Sequence, residues 1–344
     1  GNDSDSSSAA IAALSTQTVE VTGGTFTLTA AEASGRSITG VGSVAVTAID
    51  QTLNANLSGI AVSGTKTGTV SGTGTFTGNF GTLTISVDSG ATLTSSQAIL
   101  TGVSINGAGS VAVSDTVSVA QASSLDGSIS TTLSFAALTD TAANLAASSD
   151  ALLGLVSAAV TASDAATASQ ANTLAGFSKA VVYSISDTAS NVAGATSAAL
   201  NEAVNITATG TATVAEATTI VNATNSGTNT YNLSDTAANL AAAASAVGNG
   251  AGTIAATTAA TVAQATTIEG FTNSGANTYN IADTSANLAA SSNAVLTLAG
   301  TVTASDAATA SQANTLAGFS KAVVYSVSDT ASNVAGATSA ALNE

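Results

Sequence analysis

The 344-residue chain contains no histidine, cysteine, methionine, tryptophan or proline. Each absence excludes a class of chemistry. Without cysteine there are no disulfides and no zinc–thiolate centres. Without histidine, neither a Ser-His-Asp nor a Cys-His nucleophile can be assembled, and imidazole metal sites are excluded too. Aromatic residues make up only 3%. Cations are almost absent: Arg36, Lys66, Lys179 and Lys321 stand against twenty acids, for a net charge of −16. Nucleic acid is therefore excluded as a partner, because phosphate recognition rests on Lys and Arg. Like-charge repulsion favours solubility and leaves divalent cations able to bridge neighbouring chains. No apolar run reaches the length of a transmembrane helix. No GxxxxGK[ST] phosphate loop occurs. The chain starts at Gly1 with no initiator methionine and no visible signal peptide, which reads as a processed form or a fragment.

The composition that remains is 45% apolar, mainly Ala, Val, Leu and Ile, set among Ser, Thr, Asn and Gly. That fraction is too high, and charge too sparse, for simple disorder. Small side chains imply thin layers of closely spaced backbone rather than a thick globular centre. Low complexity at this length then points to repetition.

One word, DT[AS][AS]N[LV]A, recurs with its aspartate at Asp140, Asp187, Asp235, Asp283 and Asp329. Its asparagine follows at Asn144, Asn191, Asn239, Asn287 and Asn333. Tyr183, Tyr231, Tyr279 and Tyr325 precede the later copies. A second word, roughly T-x-[AS]-[QE]-A-x-[ST]-[LI], lies between them and carries Gln121, Gln170, Glu216, Gln264 and Gln312. The unit is about 47 residues, built of two related halves of about 24. Residues 160–202 and 302–344 match throughout except for Ile185 against Val327. Such near-identity suggests recent duplication, common in fibrous surface proteins and rare in enzymes.

In NTYNLSDTAANLAAAAS (229–245), Tyr231, Leu233 and Asp235 alternate with polar residues, as a short strand would. Asp235 is expected to be the N-cap of an Ala-rich helix of two to three turns. Such a helix is too short to stand alone and must pack on the strand beside it. GTIAATTAATVAQATTIEGF (252–271) repeats the strand-then-helix plan, with Val262 and Ile268 as its apolar points. The expected fold is a parallel β/α solenoid, mainly strand in the N-terminal third. There, stretches such as GTVSGTGTFTGNFGTLTISV (68–87) alternate at period two. Residues 1–17 form a tail or docking segment, 18–115 a degenerate β-rich region, and 116–344 a regular array ending mid-repeat.

The five aspartates and five asparagines are expected to act as caps and ladders. No cofactor is expected; calcium is the one candidate, and one aspartate per turn is sparse against the six to eight oxygens it needs. No enzyme is expected either, since most acids recur at repeat spacing, as scaffold does.

At YNLSDTAANLAA and ATVAQATTIEGF the chain resembles repeats of very large bacterial surface proteins. These include giant adhesins and surface-layer proteins, notably of marine bacteria and cyanobacteria. The resemblance implies export, an extracellular or cell-surface location, a structural or adhesive role, and attachment to the cell envelope.

AVNITATGTATVAEA (203–217), directly after the first of the near-identical copies, aligns with TVEVTGGTFTLTAAEA (18–33) across a one-residue gap. The chain thus begins at about the repeat phase at which it ends. That match fits two explanations: a fragment of a longer repeat array, or a head-to-tail homopolymer, a cell-surface fibre, filament or layer, because such contacts do not close. Expected contact residues are Ala9, Ala10, Ile11, Leu14, Val19 and Val21 at one end, and Val334 and Leu342 at the other. The alternative is a passive stalk segment of a giant adhesin.

Overall fold

The computed structural model describes residues 18–343. Ala9, Ala10, Ile11 and Leu14 lie outside the described residues. The chain divides into two compact units. One runs to Ser163 and includes Gly176–Val182; the other comprises Asp164–Ala175 and continues from Tyr183.

The first unit is mainly strand. Val19–Val21, Ile38–Gly40 and Ile60–Val62 form one sheet, with Val19 opposite Ile38 and Ile38 opposite Ile60. Thr25–Thr29, Ser43–Thr47, Lys66–Val70, Thr84–Val87 and Ile105–Gly107 form a second. A third runs from Gly74–Thr75 through Thr92–Ser95, Ser110–Val117, Thr132–Asp140 and Val160–Ala162 to Val181–Val182. These pairs are all parallel, so each strand meets the strand one circuit further along the chain. Parallel neighbours require a crossover. Here the crossover is a strand of the adjacent sheet or a short helix such as Val119–Ser128. Period-two patterning sorts the side chains: Val44 and Val46 are buried, while Ser43 and Ala45 beside them are only half so.

The second unit alternates three-stranded parallel sheets with helices. The sheets are Ile185–Thr188, Ile206–Thr209 and Asn229–Thr230; Leu233–Asp235, Ile254–Ala256 and Asn277–Thr278; and Ile281–Asp283, Val302–Ala304 and Val323–Val324. The molecule is therefore α/β, parallel sheets alternating with helices. Among the described residues no helix is long and apolar enough to cross a membrane.

One expectation is corrected. After Leu233–Asp235 the chain makes two short helices, Ala237–Ala241 and Ser245–Gly250, rather than one. Ala242 closes the first, and Ala244 is extended again. A single straight helix would bury one stripe. The turn provides a second, in which Val247 and Gly248 are buried. Gly248 is required by close approach: a Cβ there would lie 2.3 Å from the Phe271 ring. In the next half-repeat, Val262–Glu269 buries Ala265 and Ile268, while Val262 is half-buried. Helices of this length gain little alone. Their stability comes from apolar residues such as Leu240 and Ile268, both fully buried.

Candidate functional site

The recurring aspartates sit one residue before the N-caps of their helices. The N-caps are the adjacent threonines: Thr141, Thr188, Thr236, Thr284 and Thr330 each accept from the asparagine N–H three residues on. This corrects the assignment of Asp235 as N-cap. Each aspartate instead ties two helices together. Asp235 Oδ1 accepts from Thr236 N at 2.7 Å and from Asn239 Nδ2 at 2.8 Å, which fixes its own helix start. Its Oδ2 accepts from Val214 N at 3.0 Å, the first residue of the helix one circuit earlier. Asp140 does the same with Thr141, Asn144 and Val119. Asp187 takes Thr188, Asn191 and Ala168, and Asp283 takes Thr284, Asn287 and Val262. Asp329 takes Thr330, Asn333 and Ala310.

The geometry follows from helix termini. The first N–H groups of a helix lack intrahelical partners, and a carboxylate beside them is favoured by both hydrogen bonding and the helix dipole. The helices reached by Oδ2 carry their own capping boxes, such as Thr213 with Glu216 and Thr261 with Gln264. Their first-residue N–H still needs an acceptor, and the aspartate of the next circuit supplies it.

Electrostatics agree. The bonds from Asn191 and Asn333 hold the carboxyls of Asp187 and Asp329 below their ordinary range. At Asp140, Asp235 and Asp283 partial burial pushes upward, but the same three hydrogen bonds outweigh it and the net displacement is downward. Both oxygens of each carboxylate face N–H donors. Among the described residues, no three acids converge to hold a metal ion.

Further bonds, some within a circuit and some between circuits, have no counterpart in the sequence reading. Tyr183, Tyr231, Tyr279 and Tyr325 donate their hydroxyls to the Ala199, Val247, Val295 and Ala341 carbonyls, sixteen residues on in each case. Asn172 Oδ1 accepts from Thr196 N at 2.8 Å, and Asn205 Oδ1 from Thr228 N at 2.9 Å. Asn229 and Asn277 donate to the Ile220 and Ile268 carbonyls near helix ends. The threonine caps are legible as the Thr-x-x-Asn spacing inside the repeated word, a relative of the capping box. The tyrosine and asparagine partners are not, since they depend on how circuits align.

The end-contact residues also find places. Among the described residues, Val19–Val21 is the edge strand of its sheet, with Val21 buried and Val19 half-buried. Val334 is half-buried, and Leu342 is 46% exposed. Their counterparts in the earlier copy, Val192 and Leu200, are buried, Leu200 being 3% exposed. Sequence is the same at both places; coverage is not. Residues from 203 onward cover the earlier copy: Ile185 pairs with Ile206, and Ala189–Ala193 packs on Val214–Val221. Matching residues of 183–202 and 325–343 thus differ in burial with what packs on them.

No family model matches the chain, and no curated protein or solved structure matches it.

Proposed function

We propose that each unit is a β/α solenoid and that the chain is a non-enzymatic structural protein of the bacterial cell surface, building a fibre, filament or layer by head-to-tail stacking. The observation that carries this reading is the contrast between the two copies. Leu200 is 3% exposed and Leu342 46%, although the residues around them are identical. A face that is an interior layer in one place is an open apolar layer in the other. Val327, Val334 and Leu342 are the counterparts of buried Ile185, Val192 and Leu200, and a further circuit, of the same chain or of a second copy, is the element that fits them.

Composition supports the same reading. The acids recur as helix-binding scaffold rather than gathering in a cleft, and no histidine or cysteine exists to serve as base or nucleophile. The likeness of YNLSDTAANLAA and ATVAQATTIEGF to surface-protein repeats supports an extracellular location. With a net charge of −16, repulsion opposes association at low ionic strength, so salt or divalent cations promote it.

The test is negative-stain electron microscopy of the whole chain over a range of concentrations, with calcium or with chelator. Fibres or sheets that lengthen with concentration are expected. Single particles under every condition would overturn stacking and leave the chain a passive segment.

A further inference from the structure

We propose that the outer face of the five-stranded sheet in the first unit binds crystalline water. The inference goes beyond stacking and does not depend on it, since every residue it uses lies inside one compact unit.

The sheet runs through Thr25–Thr29, Ser43–Thr47, Lys66–Val70, Thr84–Val87 and Ile105–Gly107 in parallel pairs, and no register shift interrupts them. Its inner rows are apolar and buried: Leu28 lies opposite Val46, and Ile85 opposite Ile105. Gly68 belongs to these rows, since a Cβ there would lie 2.7 Å from Ile49 Cδ1 and 2.8 Å from Ile85 Cδ1. Alternation sends the residues between them outward. The central outward row is Thr27, Ala45, Thr67 and Thr84, each opposite the next. On one side of it Thr29 lies opposite Thr47, and Thr69 opposite Ser86. On the other side Thr25 lies opposite Ser43, and Thr65 Oγ1 donates to Ser43 Oγ at 2.9 Å. Hydroxyls thus fill three neighbouring outward rows, Ala45 excepted. The pattern is hidden along the chain, because a row is made of residues one circuit apart.

Two properties select the occupant. The first is charge. The chain carries a net charge of −16, yet no residue of the three rows is ionisable, so the face offers a charged partner no counter-ion. It offers no aromatic ring either, on which a sugar would stack. The second is hydrogen-bonding capacity held in register. The Thr29 hydroxyl is engaged at Glu32 and the Thr47 hydroxyl at Leu28 O. Among the described residues, the hydroxyls of Thr27, Thr67 and Thr84 have no protein partner, and all three side chains are exposed. Neighbouring strands lie about 4.7–4.9 Å apart, and alternate residues of one strand about 6.6 Å. Both spacings are near oxygen–oxygen repeats on the prism faces of hexagonal ice. Each hydroxyl donates one bond and accepts two, and β-branching restricts its χ1, so its position is set before water arrives. Liquid water bonds such a lattice one molecule at a time, whereas a frozen layer meets every row at once. Each bond contributes little, and preference for the solid is the sum over the face.

The test uses the full chain and two readouts: thermal hysteresis, and the share of protein taken up by a slowly advancing ice front. Circular dichroism verifies folding, and sedimentation velocity verifies that all variants have the same state of association. The parent chain is expected to facet ice crystals, to open a hysteresis gap and to be enriched in the ice. T67K places a long charged side chain in the central row, at an exposed position, and is expected to lose both effects. T303K, at an exposed strand position of the second unit, is expected to keep both. T84K repeats the T67K arm should that lysine perturb folding. A parent chain rejected from the ice like an ordinary solute would overturn the proposal, and so would a folded T67K that keeps both effects or a T303K that loses them. Retention of the parent chain on crystalline cellulose without activity on ice would assign the face to a polysaccharide and overturn it as well.

Discussion

Leu200 and Leu342 form a controlled experiment built into one molecule. Both lie in the sequence SAALNE, at the same position of the copies 160–202 and 302–344, and their local helices, Ser197–Glu202 and Ser339–Asn343, are of the same kind. Leu200 is 3% exposed and Leu342 46%. Truncating a buried leucine to alanine costs about 2–5 kcal/mol, the transfer term plus the cavity left behind. A well-covered site such as Leu200 should fall near the middle, about 3 kcal/mol. At Leu342 about half of the side chain is already in water, and the space opened is filled by solvent, so only a partial transfer term of about 1 kcal/mol remains. The two variants should therefore differ by about 2 kcal/mol, which moves a urea midpoint by roughly 0.5–1 M. Urea unfolding monitored by circular dichroism, at a concentration low enough to suppress association, gives the comparison. Hydrogen exchange localises it, using peptides that include residue 185 or 327, where Ile and Val distinguish the copies. Equal destabilisation by L200A and L342A would refute the argument that the next circuit, and not the local sequence, buries this surface.

D235N keeps one carboxamide oxygen but loses one acceptor, so either the Thr236 and Asn239 bonds or the Val214 bond is lost. A destabilisation of about 1 kcal/mol is expected, read as a lower urea midpoint; no change would mean that the carboxylate does not link the two helices. Acid should weaken the fold by the same bonds. The column carboxyls titrate below their ordinary value of 3.8, so their contribution is complete above about pH 4 and is lost as pH falls through the lowered folded values. Tyr183 sets the alkaline side: burial first, then the Glu202 charge, raises it from 10.0 to about 12. Its contribution is whole below about pH 10 and disappears as pH rises toward about 12, and a thermal-melt series against pH should show both limbs. G248A pushes a methyl group into the Phe271 ring and should cost about 1–3 kcal/mol, whereas alanine at Gly154, where no atom lies within 4 Å, should be neutral or mildly stabilising; urea midpoints of the two variants check the pair.

Much of the fold is readable along the chain. Period-two stretches mark the strands of the first unit, and the Thr-x-x-Gln and Thr-x-x-Asn spacings mark helix starts, because capping is a local interaction within four residues. The repeated word locates Asp235 beside the correct helix, but the cap itself is Thr236. The second bond of Asp235, to Val214 on another circuit, has no local trace. The division of the Ala-rich stretch into two helices is hidden for a similar reason. Alanine permits a continuous helix, and it is the packing of Val247 and Gly248, the latter against Phe271, that requires the turn.

The near-identical copies separate the two kinds of information most directly. Sequence by itself determined the helices Ala189–Ala193 and Ala331–Ala335, with the same threonine caps and the same aspartate–asparagine bonds, since every atom involved lies within a few residues. Only the tertiary structure decided that Ile185–Thr188 is a strand while its copy at Val327 makes a single bridge to Ala308. It likewise decided that Val192 is interior and Val334 half-open. The physical reason is that a parallel strand and an apolar layer are completed by a neighbouring segment, and residues from 203 onward supply that neighbour to the first copy.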